Sequence, residues 1–305
     1  MRPLALVLLV CSLGAVGCGS SGAGAGGRPV VVATTTQVGD FARAIGGGRV
    51  EMRTLLRANA DPHEYEPRPS DVRTVSEADV VLRSGGDVDD WLDGVLRSSG
   101  SHARSLTLVD RVPEQRLNGK LDPHWWQNPR DVELTVPAIR DALTRIDPGG
   151  RAGFTRRAAA YARRLAVLDR GIARCVASVS PPQRKIVTTH DALGYFARRY
   201  GVKVVGALIP SLSTQAQPSA RDIQRLVGQI RREHVQAIFP ESSINPKLEQ
   251  AVARETGART GGHLWADALG PRGSSGDTYL HSMAANARSL VGGMSGGARA
   301  CRLSP

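Results

Sequence analysis

Two tripeptides carry the first chemical signal. Asp61-Pro62-His63 stands in "NADPHEYEPRPSD" and Asp122-Pro123-His124 in "DPHWWQNP". The chain has seven histidines, and two of them share this unusual setting. A third, His190, stands in "TTHDALGYF". Neutral imidazole is the commonest zinc ligand and suits several first-row metals. Proline ahead of His63 and His124 fixes the backbone and lowers the entropy cost of holding each ring. Asp61 and Asp122 are placed to cap their loops, or to orient an imidazole through its second nitrogen. Glu64 is placed to hydrogen-bond within its loop or to approach an ion held by His63. A single loop histidine is usually an ordinary surface residue, and the recurring tripeptide argues against that for two of these three.

Such ligands need elements that bring them together. "RPVVVATTT" reads as a buried strand, since β-branched residues form an unbroken apolar run. "QVGDFARAIGG" reads as a helix closed by glycines, and "RVEMRTLL" as a second strand. A helix from "SDVRTVSEA" with Ser70 as N-cap, a strand "DVVLRSG", a helix "DVDDWLDGVLRSS" and a strand "SLTLVD" follow. A helix from about Arg130 to Ile146 ends this half. From Asp147 to Pro182 the pattern is one long helix, with Phe154, Tyr161, Leu165, Leu168 and Ile172 at helical spacing. It reads as a rigid strut between two domains. Strand–helix alternation then restarts at "RKIVTTHDALGYFARRYG" and continues through "VKVVGAL", "QPSARDIQRLVGQIRREHV" with Ser219 near its cap, "QAIFPESS", "NPKLEQAVARETG" and "ARTGGHLWAD" to a last helix, "DTYLHSMAANARSLVGG".

The predicted fold is therefore α/β: two lobes with mostly parallel sheets, joined by one long helix, with the site in the cleft. The expected division is residues 29–146, a linking helix 147–182, and residues 183–305. All three histidines fall in loops after strand-like segments or just before a helix. Ligands of open α/β sheets bind outside the carboxyl ends of the strands.

The N-terminus points to export. "MRPLALVLLVCSLGAVGC" has one arginine and a short apolar run, which reads as a secretory signal over residues 1–17. Small residues before Cys18, followed by "GSSGAGAGG", resemble a lipobox and a tether over residues 18–28. That resemblance implies lipidation of Cys18 and attachment to a membrane by acyl chains only. Of the remaining cysteines, Cys11 lies in the signal. Cys175 and Cys301 are left as a disulfide pair or as two separate thiols. With no CxxC pair, a four-cysteine zinc site is excluded. The formal charge of +12 comes almost wholly from arginines scattered along helical segments such as "TRRAAAYARRLA". No basic stripe with interleaved aromatics accompanies it, so nucleic acid is not an expected partner.

Six segments stand in order along the chain: "DPHEYEPRPSD", "DPHWWQNP", "THDALGYFARRYG", "PSARDIQRL", "IFPESSINPKL" and "GDTYLHSM". Together they resemble the zinc/manganese-type substrate-binding proteins of ABC importers. The likeness covers about Pro29 to Val291 and rests most on the first segment. It implies two α/β lobes, one metal ion in the cleft, and delivery to a membrane permease driven by a cytoplasmic ATPase. It makes His63, His124 and His190 ligands and assigns the closing carboxylate to Asp277. It places Glu241 near the cleft as a supporting acid. Histidine at the third position is usual in zinc binders, where manganese binders usually show glutamate. Three nitrogens and one oxygen suit tetrahedral Zn²⁺. Many zinc members carry a long His/Asp/Glu-rich loop before the second ligand. Here "PEQRLNGKLDPHWW" is short and lacks histidine before His124. That weakens the case for loading by a metallochaperone through this loop.

The other histidines have plainer readings. His102 is expected to be exposed, and His234 ends a helix. His263 and His281 are lesser candidates for the cleft. Trp125 and Trp126 are expected to pack its wall. The rival functions are the same family with Mn²⁺ or Fe²⁺ as cargo, a secreted zinc hydrolase, and an adhesin lipoprotein. No HExxH occurs, and a filled shell of four ligands suits capture rather than catalysis. The expected product is a monomeric, non-enzymatic zinc carrier.

Overall fold

A computed structural model describes residues 27–303. The expected signal, Cys18 and most of the tether lie outside these residues. The first lobe runs β1 (Val30–Ala33), α1 (Thr36–Gly46), β2 (Glu51–Thr54), α2 (Pro69–Ser76), β3 (Val80–Arg83), α3 (Leu92–Ser99) and β4 (Arg104–Thr107). A small hairpin, β5 (Arg116–Leu117) and β6 (Lys120–Leu121), precedes α4 (Pro129–Ile146). The long helix α5 (Arg151–Ala177) follows. The second lobe runs β7 (Lys185–His190), α6 (Gly194–Tyr200), β8 (Lys203–Ile209), α7 (Ala220–Glu233), β9 (Ala237–Phe239), α8 (Lys247–Thr256) and β10 (Arg259–Thr260), ending in α9 (Tyr279–Met294).

Each lobe is built on a parallel four-stranded sheet. The first has the order β2-β1-β3-β4 and the second β10-β9-β7-β8. Read from the opposite edge, the second is β8-β7-β9-β10. Numbered within its own lobe, each sheet therefore has the order 2-1-3-4. The first strand of each lobe is central, and the chain reverses its direction of travel between strands one and three. That is where open α/β sheets leave a crevice. The central strands are apolar because both faces are covered: Val31, Val32 and Ala33 of β1 are fully buried, as are Ile186 and Val187 of β7.

Helix ends follow local chemistry. Ser219 caps α7 as expected, its Oγ accepting from Asp222 N–H while Asp222 accepts from the Ser219 N–H. Ser70 does not cap α2. The helix begins at Pro69, and Asp71 accepts a 2.6 Å bond from the Arg68 N–H instead. Proline at the first helical position, with an acid in the first turn, outcompetes the serine. The long helix is 27 residues, about 40 Å at 1.5 Å per residue. Phe154, Tyr161, Leu165, Leu168 and Ile172 form its buried face, in one apolar core with residues of both lobes. It is packed along its length by α1, α4 and α9 rather than spanning open space. The last helix returns to the first lobe: Tyr279 N–H donates to Asp40 (3.0 Å) and its hydroxyl to the Trp126 carbonyl (2.7 Å). Cys175 on α5 is joined to Cys301, their Cα atoms 5.2 Å apart.

Candidate metal centre

His63 lies in the loop between β2 and α2, and its backbone N–H donates to Asp61 Oδ1 at 2.9 Å. His124 follows β6 and opens the turn Trp125–Gln127. Gly86, at φ +76°, lets the backbone pass against Pro123, where a Cβ would stand 2.5 Å from the ring. His190 is the last residue of β7. A fourth group, Asp267, lies beyond β10 in the segment leading to α9. These four residues each offer a donor atom within 4.8 Å of the other three. His190 Nε2 is 3.3 Å from His124 Nε2 and 3.2 Å from Asp267 Oδ2. Asp267 Oδ2 is 3.6 Å from His63 Nε2, and Oδ1 is 3.6 Å from His124 Nε2.

All four side chains are almost wholly removed from solvent. Among the described residues, His63 Nε2 and both Asp267 oxygens have no hydrogen-bond partner. A buried carboxylate without partners costs several kcal/mol, and a cation among these donors would offset it. Two imidazoles are held from behind. Asp122 Oδ1 faces His124 Nδ1 at 2.8 Å, and Glu241 Oε1 faces His190 Nδ1 at 2.7 Å. In the neutral ring each carboxylate favours the tautomer with the proton on Nδ1, so that Nε2 can coordinate. His63 has no such carboxylate behind it. Burial pushes its imidazole down to about 4, so it is neutral at pH 7. Burial alone would lower His190 too, but the charges of Glu241 and Asp267 outweigh it and hold His190 well above the ordinary value. Asp267 is held below the usual carboxylate range: burial opposes this, and the three imidazoles, His190 foremost, overcome it.

The carboxylate brought to the imidazoles is thus Asp267, and Asp277 stands elsewhere. Asp277 immediately precedes Thr278, the N-cap of α9. Its Oδ1 pairs with His281 Nδ1 at 2.7 Å and its Oδ2 accepts from Gly273 N–H, with His281 exposed. The stretch "GDTYLH" is a helix start, not a ligand loop. Asp267 is positioned largely by the first lobe. The Ala266 carbonyl accepts from Trp126 Nε1 (2.8 Å) and Gln127 Nε2 (2.7 Å), and Leu269 N–H donates to Thr36 Oγ1 (2.8 Å). Its signal in the sequence was an acid in the apolar run "HLWADALG" just past the last short strand. Asp61 supports the loop backbone and accepts from the Thr214 hydroxyl at 2.7 Å rather than orienting a ring. Glu64 is exposed, as are His102 and His263. His234 closes α7 in the left-handed conformation. Trp125 and Trp126 are buried, and the Trp126 ring meets His124 edge-on, with centroids 5.4 Å apart.

Two like-ordered α/β lobes meeting around buried imidazoles and a carboxylate define a class: the metal-binding substrate-binding proteins of ABC importers. The comparisons agree. The family profile described as ZnuA, Zinc-uptake complex component A periplasmic, matches residues 31–293, and the chain belongs to that family. Its members are solute-binding proteins, not enzymes. The manganese-binding lipoprotein MntA of Bacillus subtilis is 33% identical over 288 residues, covering 90% of this chain and 94% of that protein. The zinc-binding protein TroA of Treponema pallidum is 33% identical over 282 residues, covering 90% and 91%. The solved structure of that periplasmic zinc-binding protein superposes with a TM-score of 0.84 at 30% identity, covering 88% of this chain and all of the other. Among the described residues no helix is long and apolar enough to cross a membrane.

Proposed function

We propose that this chain captures Zn²⁺ outside the cytoplasm, through His63, His124, His190 and Asp267, and passes it to a membrane permease driven by a cytoplasmic ATPase. One observation carries the reading: the four donors are buried and within 4.8 Å of one another, with His124 and His190 Nε2 3.3 Å apart and the Asp267 oxygens 3.2–3.6 Å from the three imidazoles. Tetrahedral ligands at a zinc bond length of ~2.0 Å stand about 3.3 Å apart. Asp122 and Glu241 act behind His124 and His190, as carboxylates behind metal-bound histidines do. Every imidazole must be neutral to bind, so affinity falls as pH falls. Cys18 carries the lipid anchor, the chain works as a monomer, and residues 29–146 and 183–305 act as lobes about the linking segment 147–182, which contains the long helix α5. The Cys175–Cys301 bridge is intact in the exported protein, which intact mass without reductant checks.

A second reading has its own observation. Both Asp267 oxygens lack partners, so the carboxylate can bind through both and raise the coordination number. Mn²⁺ favours more oxygen ligands than zinc does, and the Bacillus subtilis relative is named for manganese. Competition titration of the ion-free protein separates the two. Zn²⁺ outbinds Mn²⁺ at most nitrogen sites whatever the cargo, so zinc is supported where one Zn²⁺ binds per chain and Mn²⁺ alone shows no tight binding. At similar affinity for both, transport of each ion in cells decides the cargo.

A further inference from the structure

The segment Pro113–Leu121 reaches the site without supplying a ligand. Asp122 Oδ1 accepts from the His124 backbone N–H at 3.0 Å and faces its Nδ1. The other oxygen, Oδ2, accepts from Gln115 Nε2 at 3.1 Å, and the Asp122 N–H donates to the Gln115 carbonyl at 2.8 Å. Gln115 therefore grips Asp122 by side chain and backbone together. Its amide orientation is set by chemistry, because an ionised carboxylate only accepts. The amide oxygen is left buried without a partner.

The opposite lobe holds Gln115 in turn. The Tyr195 hydroxyl accepts from the Gln115 N–H at 3.1 Å and donates to the Pro113 carbonyl at 3.2 Å. Gly194, the first residue of α6, presses on the pair directly. A Cβ there would lie 2.3 Å from Gln115 Nε2 and 2.6 Å from Asp122 Oδ2. Its φ is not in the left-handed region, so the glycine serves closeness and not backbone conformation. Gly194 and Tyr195 lie four and five residues past His190, on the same strand-to-helix unit. One unit of the second lobe thus presents its own imidazole and braces the carboxylate behind an imidazole of the first.

We infer that Gln115 is a positioning residue for His124, locked by Gly194 and Tyr195 across the cleft, so that the set of one ligand depends on the seating of the other lobe. This rests on His124 being a ligand. The test is Zn²⁺ affinity by chelator competition for the full chain and its Q115A, G194A and H124A variants, with ion-free melting and ¹⁵N imidazole spectra of the zinc-loaded form. Q115A is expected to weaken binding about 10-fold, the range for groups supporting a ligand. Its ion-free melting temperature should fall by only a few degrees, since Asp122 loses one buried donor. The His124 ring signals should move while those of His190 stay. G194A, which crowds the same pair from the other lobe, is expected to weaken binding as well. Parent-like affinity in Q115A and G194A, with binding lost in H124A, overturns the inference alone. An affinity loss in Q115A matched by lower ion-free melting, with unmoved His124 signals, also overturns it. Parent-like binding in H124A would instead sink the underlying site.

Discussion

The two lobes repeat one arrangement with different residues. In each, a residue at the end of the first strand is met by a carboxylate that follows the third strand. In the second lobe these are His190 and Glu241, 2.7 Å apart. In the first they are Thr34 and Asp89, also 2.7 Å apart. Both pairs are buried at the reversal point of a 2-1-3-4 sheet. The threonine pair is closed upon itself: Asp89 also accepts from the Ser84 and Gly85 N–H groups and meets Arg83. The histidine pair is open, because an imidazole held at Nδ1 still presents Nε2. The register sets the two apart by one residue: Ala33 pairs with Leu82 and Thr188 with Phe239, so Thr34 matches Thr189 and His190 lies one residue further on, where a ring can face a cation. What also differs is whether the side chain has a second functional atom to spare.

The largest effects fall on the open pair. H190A is expected to lower Zn²⁺ affinity about 1,000-fold, equivalent to roughly 4 kcal/mol, measured by competition with a chelator. T34V should leave affinity within about twofold, since Thr34 touches no donor of the site; a comparable loss there would erase the distinction. The two acids of the C-terminal half form a matched pair of tests. D267N should weaken binding about 100-fold, roughly 2.7 kcal/mol, while D277N should bind like the parent. E241Q keeps the shape behind His190 but loses the charge, and should weaken binding about 10- to 100-fold by the same titration. T34V should register in stability instead, losing about 1–3 kcal/mol in urea unfolding because Asp89 loses a buried donor.

The smallest effect lies at an ion pair far from the cleft. Glu233, at the end of α7, is pushed down to about 2 by hydrogen bonds from Lys203 and Lys185 on neighbouring strands. A lowered carboxylate stabilises fully above its ordinary value of 4.5, and the gain is lost as pH falls through about 2. E233Q should therefore melt slightly below the parent near pH 7, with the gap closing toward pH 2 and shrinking in salt.

Much of the site was legible because proline leaves a mark. Asp-Pro-His stiffens a loop for a reason, and two copies in one chain pointed to His63 and His124. His190 was legible from its place at the end of an apolar strand. Asp267 was harder. Its placement depends on Trp126, Gln127 and Thr36, more than 130 residues away in sequence, and no local pattern announces such support. The likeness at "GDTYLHSM" drew attention to Asp277, whose helix-start chemistry was equally consistent with what precedes Tyr279. The alternation of strands and helices gave the α/β class. The shared strand order was hidden, since pairing among strands is non-local and the halves show no clear sequence repeat. Gln115 was invisible for the same reason: its meaning comes from Gly194 and Tyr195.

The doubly bonded Ala266 carbonyl has a mechanical consequence. Asp267 belongs to the later half of the chain yet is tied to the earlier half, close beside His124. A tilt of the second sheet that broke the bonds from Thr214 and Gln215 to the His63 loop would carry away His190 and Glu241 but leave Asp267 behind with His63 and His124. Opening would then uncover one coordination position rather than tear the cage in two, and a cargo ion would be handed over from three remaining grips.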